Sequence, residues 1–157
     1  MTAPAAEVAV SGRLRRAWER PHVITRALAT VDHKQIGLRY IVTAFAFFLI
    51  GGIEAGLMRT QLAVPENDFL GPQAYNQIFT MHGTTMIFYF ATPMLIGIGT
   101  YVVPLMIGTR DIAFPRLNAF AYWVFLFSGI FIYTSFLVEE VPDGGWFAYV
   151  PLTGPDY

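Results

Sequence analysis

The sequence predicts an all-α membrane protein in which three helices cross the bilayer. Hydrophobic residues make up 55% of the 157 residues and charged residues only 13%, whereas soluble chains carry about a quarter charged residues. Three segments, at 37–60, 77–108 and 117–138, are largely apolar over the roughly 20 residues that a spanning helix needs. Because hydrocarbon offers no partners to open backbone groups, each segment is expected to be helical.

The composition also excludes several classes of protein. A formal net charge of -1 and a pI near 6.3 argue against nucleic-acid binding, which needs a basic face to neutralise phosphates. Without a cysteine, the chain has no disulfide framework, thiolate metal site or cysteine nucleophile. Its many aromatic and aliphatic residues rule out intrinsic disorder.

Residues 1–36 form a basic arm ahead of the first span. No apolar stretch of signal-peptide type follows its early arginines, so we do not expect a cleaved leader. Leu14 and Trp18 lie one turn apart among the arginines, which suits a helix lying on anionic lipid. A partly ordered basic tail accounts for the same residues equally well.

The first span, 37–60, has a carboxylate in its apolar interior. Glu54 lies in the outer third of the span and is expected to face protein or water rather than lipid. The sequence leaves the role of this carboxylate open. An outer loop at 61–76 follows the span.

The second span, 77–108, is long enough to need tilt or a bend. Pro93 and Pro104 are the obvious places for that bend, because proline interrupts the regular hydrogen bonding of a helix. A turn at 109–116 leads into the third span, 117–138, which contains no charged residue.

Loop charges predict the orientation of the spans. The 61–76 loop and the last segment, 139–157, carry acidic residues but no basic one. Basic residues dominate the chain up to position 40 and the 109–116 turn; they are Arg13, Arg15, Arg16, Arg20, Arg26, Lys34 and Arg39, then Arg110 and Arg116. The positive-inside rule therefore places the N-terminus and the 109–116 turn in the cytoplasm.

His82 is the polar outlier of the second span, which has no carboxylate, lysine or arginine. Intramembrane ionisable groups are functional by default, and a neutral imidazole is the commonest metal ligand. Ligation of a metal or a haem is therefore one interpretation, for which Gly83 leaves room for a large flat partner. A histidine bonded to a hydroxyl or carbonyl of another helix is the other.

Further residues gather at the same depth on the outer side. Arg59 ends the first span above Gly52 and Gly56, a glycine stripe that lets a partner approach the backbone closely. The alternative is a helix contact with a snorkelling arginine. Tyr75 precedes the histidine by two turns on the same face, and Trp146 lies in the outer segment, where interfacial aromatics are expected anyway.

The inner side carries a different pair of residues. Asp111 and Asn118 are seven positions apart where the turn enters the third span. A carboxylate at a cytoplasmic mouth, followed by an amide, suits the start of a water-filled proton path. The more ordinary alternative is an aspartate that caps the turn or pairs with Arg110 or Arg116.

These residues stand in strings that resemble subunit I of the haem-copper oxidases. The strings are NQIFTMHGTTM at 76–86, VPLMIG at 103–108 and DIAFPRLN at 111–118. DHKQIG at 32–37 is similar to the family's start before its first helix, and GW at 145–146 with PL at 151–152 to its loop after the third. The resemblance runs from about position 31 to the end of the chain, so it implies the first three helices of the subunit I bundle.

The resemblance implies a cofactor and its outer-side contacts. The family reduces oxygen to water with proton pumping, and His82 matches an axial ligand of its low-spin haem, expected to be haem a. Arg59 matches the arginine at the edge substituent of this haem, Tyr75 a tyrosine near its periphery, and Trp146 a tryptophan near the propionates.

On the inner side, Asp111 matches the acid at the mouth of the family's proton pathway and Asn118 an asparagine within it. At Thr100 many relatives carry an asparagine that lines this path, so its detailed wiring here is open. The implied setting is the lipid bilayer of a bacterial plasma membrane, with the rest of subunit I, oxidase subunits II and III, and cytochrome c as partners.

Two questions have alternative answers: which electron donor is used, and whether the chain is part of a catalytic subunit. Quinol-oxidising members use an arginine, an acid, a histidine and a glutamine; here Glu54 and Gln77 are present, but Ile50 and Ala74 replace the basic pair. This favours cytochrome c over quinol. We expect the high-spin haem and copper to be bound by later helices, so the chain alone should be inactive. A non-catalytic split or remnant fragment is the other alternative.

Overall fold

The structure, a computed structural model, describes residues 28–154. Within that range it contains helices and no strand, and three of them are long and apolar enough to cross a membrane: His33–Gln61, Pro72–Met106 and Pro115–Leu137. The all-α membrane class predicted from the sequence is confirmed. The N-terminal unit ends at Thr30, and most of the basic arm, including Leu14 and Trp18, lies outside the described residues.

Helix α1 (His33–Gln61) begins earlier than position 37 because Asp32 caps it. The Asp32 Oδ1 accepts a hydrogen bond of 2.9 Å from the Lys34 N–H, which satisfies one of the donors that the first helical turn leaves open. Partial burial opposes ionisation of Asp32. The Lys34 N–H and the Lys34 ammonium, 3.5 Å away, outweigh that burial and lower the pKa of the carboxyl below its ordinary value.

The loop after α1 is held to the helix end by two amide side chains. Gln61 accepts a hydrogen bond of 2.6 Å from the Leu70 N–H and donates its Nε2 to the Asn67 carbonyl. Asn67 in turn donates its Nδ2 to the Thr60 carbonyl over 2.8 Å. These bonds fix where the next helix starts relative to the end of α1.

The second span consists of α2 (Pro72–Thr84), a π-helical segment (Thr85–Ala91) and α3 (Thr92–Met106). The π segment ends two residues before Pro93, which lacks an N–H and whose ring collides with the carbonyl four residues earlier in a regular helix. Wider i to i−5 bonding, as from the Thr92 N–H to the Ile87 carbonyl, moves the carbonyls out of the way. Proline is therefore accommodated without ending the span.

Two glycines bring α1 and α3 into backbone contact. A Cβ on Gly37 would lie 2.8 Å from the Gly97 carbonyl oxygen and 2.9 Å from the Tyr101 N. A Cβ on Gly97 would lie 2.9 Å from the Gly37 carbonyl oxygen and 2.8 Å from the Cβ of Tyr40. Only glycine permits this approach, which is a small-residue packing contact of the kind common between membrane helices.

Gly37→Ala is expected to lower the free energy of unfolding of the subunit by about 1–3 kcal/mol, because the atoms that the new methyl meets belong to backbone and cannot rotate away. Thermal denaturation of the full-length subunit in detergent measures the loss. Gly99→Ala is the matched control, since no atom of the described residues lies within 4 Å of its Cβ position. Equal stability of the two variants would contradict the contact.

Helix α4 (Pro115–Tyr133), continued by a 3-10 turn (Thr134–Leu137), packs on α1 through aromatic rings. The buried core joins Ile36 and Tyr40 to Tyr122, with the two tyrosine rings edge to face at 5.2 Å. Most other large apolar side chains of the spans point outward, as expected for helices that face lipid or further helices.

Candidate functional site

We call the end of the bundle at the 61–76 loop the outer end and the opposite one the inner end, after the orientation that the loop charges predict. His82 lies on α2 toward the outer end, against the backbone of α1. Its Nδ1 is 2.9 Å from the Gly51 carbonyl oxygen. A carbonyl can only accept a hydrogen bond, so Nδ1 carries the proton and Nε2 keeps a free lone pair. Donation of one ring N–H to a carbonyl is the usual arrangement of a metal-binding histidine, because it fixes the tautomer and the ring orientation.

Gly51 allows this contact because it has no side chain. A Cβ at this position would lie 2.8 Å from the Met86 Sδ and 3.5 Å from the Thr85 Cγ2. The two helices therefore meet closely enough for the carbonyl to reach the imidazole. The helix-carbonyl alternative for His82 is realised at Nδ1, and it leaves Nε2 available.

Gly83 accommodates a protein side chain rather than open space for a flat ligand. A Cβ there would lie 2.9 Å from the Trp146 Cδ1, so the indole fills the space beside His82. The Gly145 N–H donates to the Thr80 hydroxyl over 2.9 Å and holds the outer segment on α2. The sequence interpretation of Gly83 is wrong, because the segment that folds back onto it is distant in the chain.

A second anchor holds the outer segment to α2. The Gln73 Nε2 donates to the Asp143 Oδ2 over 2.6 Å. This bond attaches the segment near the start of α2, whereas the Thr80 bond attaches it near His82, where Trp146 packs on Gly83.

The glycine stripe of α1 is open in the described part of the chain. No atom lies within 4 Å of a Cβ built on Gly52 or Gly56, so no helix of residues 28–154 packs there. Arg59 is exposed at the end of this stripe, and Tyr75 is half-buried in the first turn of α2. Among the described residues, no hydrogen bond or ion pair joins either of them to His82.

These features fit a haem better than a free metal ion. No group of three or more histidine, cysteine or carboxylate side chains that could hold an ion exists among residues 28–154. A single imidazole with a free Nε2 can instead complete the coordination of an iron that a porphyrin already holds. The open glycine face and Arg59 lie on the neighbouring helix, where a large flat group would find room and a cation.

At the inner end, the structure brings Asp111 to a histidine. The Asp111 Oδ1 is 3.3 Å from the His33 Nδ1, and the His33 side chain is only 1% exposed whereas Asp111 is 35% exposed. The same carboxylate oxygen accepts a hydrogen bond of 2.8 Å from the Ile112 N–H. Asp111 thus caps its turn, and the basic side chain that lies within 4 Å of it in the described range is His33 rather than Arg110 or Arg116.

Asn118 lies in the first turn of α4 with an unsatisfied donor. Its Nδ2 is buried and has no hydrogen-bond partner among the described residues, and no direct bond joins it to Asp111. A buried amide of this kind is a natural position for an ordered water, which needs polar partners. The two residues therefore share the inner end of the bundle without touching.

Sequence reasoning missed two features of the site. His33 reads as part of the basic arm, but it is the first residue of α1 and is buried there. Glu54 was left without a role, and the structure places it 6% exposed with its Oε1 accepting a hydrogen bond from the Tyr133 hydroxyl. A carboxylate in an apolar span is energetically costly, and this cost indicates that Glu54 has a role. No spacing rule, however, reveals its partner, which lies seventy-nine positions away in the chain.

Comparison with known proteins gives a consistent set of relatives. The family model for cytochrome c and quinol oxidase polypeptide I matches residues 35–157. The chain is 54% identical over 126 residues to cytochrome c oxidase subunit 1 of Bacillus subtilis, a match that covers 80% of this chain and 20% of the relative. Identity to a probable cytochrome c oxidase subunit 1-alpha of Streptomyces avermitilis is 50% over 133 residues, covering 84% and 23%.

A haem-copper oxidase subunit I+III of Aeropyrum pernix is 49% identical over 135 residues, which cover 85% of this chain and 17% of the relative. The chain therefore spans about a fifth of the length of the curated relatives that it matches.

Proposed function

The chain belongs to the family of cytochrome c and quinol oxidase polypeptide I, and from this premise we propose that it is the N-terminal part of the catalytic subunit of a terminal respiratory oxidase. Such an enzyme takes four electrons from cytochrome c and four protons to reduce one oxygen molecule to two waters, and it pumps further protons. The observation that carries the proposal is the Nδ1–Gly51 bond, which leaves the His82 Nε2 free to ligate iron.

His82 is proposed as one axial ligand of the low-spin haem, which the family resemblance suggests is haem a. When bound, a haem supplies one-electron redox chemistry. The protein's part is to hold the imidazole: the Gly51 carbonyl fixes its tautomer, and the Trp146 indole covers the adjacent backbone at Gly83. Arg59 would offer a guanidinium to the edge of the group, and Tyr75 a phenol near its periphery.

Asp111 and Asn118 are proposed as the entrance of a proton pathway. Asp111 is exposed enough to exchange protons with water, and its carboxylate lies 3.3 Å from the buried ring of His33. The unsatisfied Nδ2 of Asn118 would orient a water deeper along α4. This arrangement takes up protons at the end of the bundle opposite to His82.

The setting follows from the same proposal. The three apolar helices make this a multi-pass membrane protein. The bacterial relatives support a bacterial plasma membrane, and the loop charges support an N-terminus in the cytoplasm. The rest of subunit I would supply the second axial ligand, the high-spin haem and the copper site. Subunits II and III and cytochrome c would complete the partners.

The position of Glu54 favours cytochrome c as the electron donor over quinol. In a quinol site the carboxylate would have to face a ligand that enters from lipid. Glu54 is instead buried, and its Oε1 is bonded to Tyr133 of α4. Ile50 and Ala74 add no basic group beside it.

The complete oxidase is expected to consume oxygen at least about tenfold faster with reduced cytochrome c than with a short-chain quinol, a difference of about 1.4 kcal/mol in the barrier. Oxygen-electrode assays of one purified complex with each donor measure the ratio. The reverse ratio would make quinol the donor, and no oxygen consumption with either would contradict the proposed function.

A further inference from the structure

We propose that Glu54 is a positioning residue for His82. Through Tyr133 and Thr85 it fixes the start of the π-helical segment, and so it sets the orientation of the imidazole one turn before that segment. The effect on a haem rests on the proposed function. The effect on the helix itself does not.

The three side chains form a hydrogen-bonded chain in which donation runs from Thr85 to Tyr133 to Glu54. The Tyr133 hydroxyl donates to the Glu54 Oε1 over 2.9 Å, and it lies 2.6 Å from the Thr85 Oγ1. Since the tyrosine has one hydrogen and gives it to the carboxyl, the Thr85 hydroxyl donates to the tyrosine oxygen. The chain joins α1, α4 and the π segment at one point.

This chain reaches the contact that holds His82. The first two spans run in opposite directions, so Glu54, three residues after Gly51, and Thr85, three residues after His82, start from opposite sides of the level at which Gly51 meets His82. The Tyr133 hydroxyl bridges them. Thr85 also packs directly on Gly51, because a Cβ built on Gly51 would lie 3.5 Å from the Thr85 Cγ2. The Glu54 network therefore holds Thr85 against the residue whose carbonyl bonds the His82 Nδ1.

The attachment at Thr85 matters because regular α-helical geometry ends at this residue. Thr85 is fully buried and is the first residue of the π segment. A π turn is held less firmly by its own hydrogen bonds than an α-helix and is therefore uncommon. An external anchor at Thr85 stops that segment from rotating, and rotation would pull the imidazole away from the Gly51 carbonyl.

Burial of Glu54 argues that the network has a purpose beyond packing. A carboxyl within an apolar span is costly and usually functional, and the Glu54 Oε2 is buried without a partner among the described residues. Leucine would fill the same place at no such cost. Retaining a buried polar group is expected where it specifies one arrangement of helices over others.

Tyr133→Phe and Glu54→Leu in the complete oxidase test the proposal. Tyr133→Phe removes one oxygen and keeps the ring, which stacks on Phe47 at 6.1 Å, so folding is retained. We expect each variant to shift or broaden the electron paramagnetic resonance signal of the low-spin haem and to speed haem release about tenfold, the low end for groups around a metal ligand. The double variant should do no more than either single one.

Glu54→Gln and Tyr101→Phe are the matched variants. The glutamine keeps an acceptor oxygen and should restore the wild-type signal, whereas an effect as large as that of leucine would show that the acid itself matters and overturn a positioning role. Tyr101 has no hydrogen bond through its hydroxyl among the described residues, so its variant should behave as wild type. A shift of equal size there would also overturn the proposal.

Hydrogen exchange separates this inference from the proposed function. Amides 85–91 should exchange faster in Glu54→Leu and Tyr133→Phe, whatever the cofactor. Unchanged exchange of these amides would contradict the positioning role of Glu54. So would a low-spin signal that is lost in His82→Ala but unchanged in both network variants, although His82 would then remain the proposed haem ligand. If no low-spin signal depends on His82 but the exchange quickens, the function is wrong and the helix anchor stands.

Discussion

His82→Ala in the complete oxidase is expected to abolish the low-spin bis-histidine haem signal. The methyl side chain cannot coordinate iron, and among the described residues no other histidine lies in the outer half of the bundle. Electron entry through this haem would fail with it, so oxygen consumption should fall to background. Visible and electron paramagnetic resonance spectra of the purified complex measure the loss.

His33→Ala serves as the control for this experiment, because it removes an imidazole from the inner end of α1 and should leave the low-spin spectrum unchanged. Added imidazole should restore part of the signal in His82→Ala, since the substitution leaves a space of matching shape beside the Gly51 carbonyl. Normal absorbance in His82→Ala would refute the assignment of the ligand.

Asp111→Asn is expected to slow steady-state turnover about a hundredfold, the lower bound for loss of a positioned proton-transfer group. The amide oxygen can still accept the hydrogen bond from the Ile112 N–H, so the turn before α4 keeps its cap. What the variant loses is a group that can carry a proton and the charge that faces His33. The haem spectra should therefore be unchanged.

This substitution separates the two interpretations of Asp111. If it only caps the turn, the asparagine variant will turn over normally; if it admits protons, turnover falls while the fold is retained. Asp68→Asn is the matched control, because Asp68 is exposed in the outer loop and makes no ion pair within residues 28–154. Oxygen consumption and proton uptake, measured on the same reconstituted vesicles, distinguish a slow enzyme from an uncoupled one.

The long apolar segments were enough to predict the architecture but not its local irregularities. Such segments define the spans because a backbone in hydrocarbon must satisfy its own hydrogen bonds, as a helix does. The π segment at Thr85–Ala91 could not be read from Pro93 alone, since a proline can equally kink a helix or end it. The early start of α1 depends on the Asp32 cap, which resembles any polar residue of a basic arm.

The sequence was enough to identify candidate residues whose burial in an apolar span is energetically costly. It was not enough to predict contacts between residues that are distant in the chain. His82 stands out because placing an imidazole in hydrocarbon is energetically costly and such residues are usually functional. Gly83 was misjudged because Trp146, which fills its space, arrives from another part of the chain. Burial of Glu54 in an apolar span is as costly as that of His82, but its partner Tyr133 lies near the end of another span, where a tyrosine looks like an ordinary interfacial aromatic.

The π segment also changes the directions in which side chains point in the two halves of the second span. A helix advances about 100° per residue, so a segment that holds wider turns offsets the faces of α2 from those of α3. Substitutions in the outer half can therefore adjust the surroundings of the proposed haem while the inner half keeps the glycine crossing at Gly97 undisturbed. The outer and inner halves of the span therefore share one axis, but substitutions on a face of one half need not affect the matching face of the other.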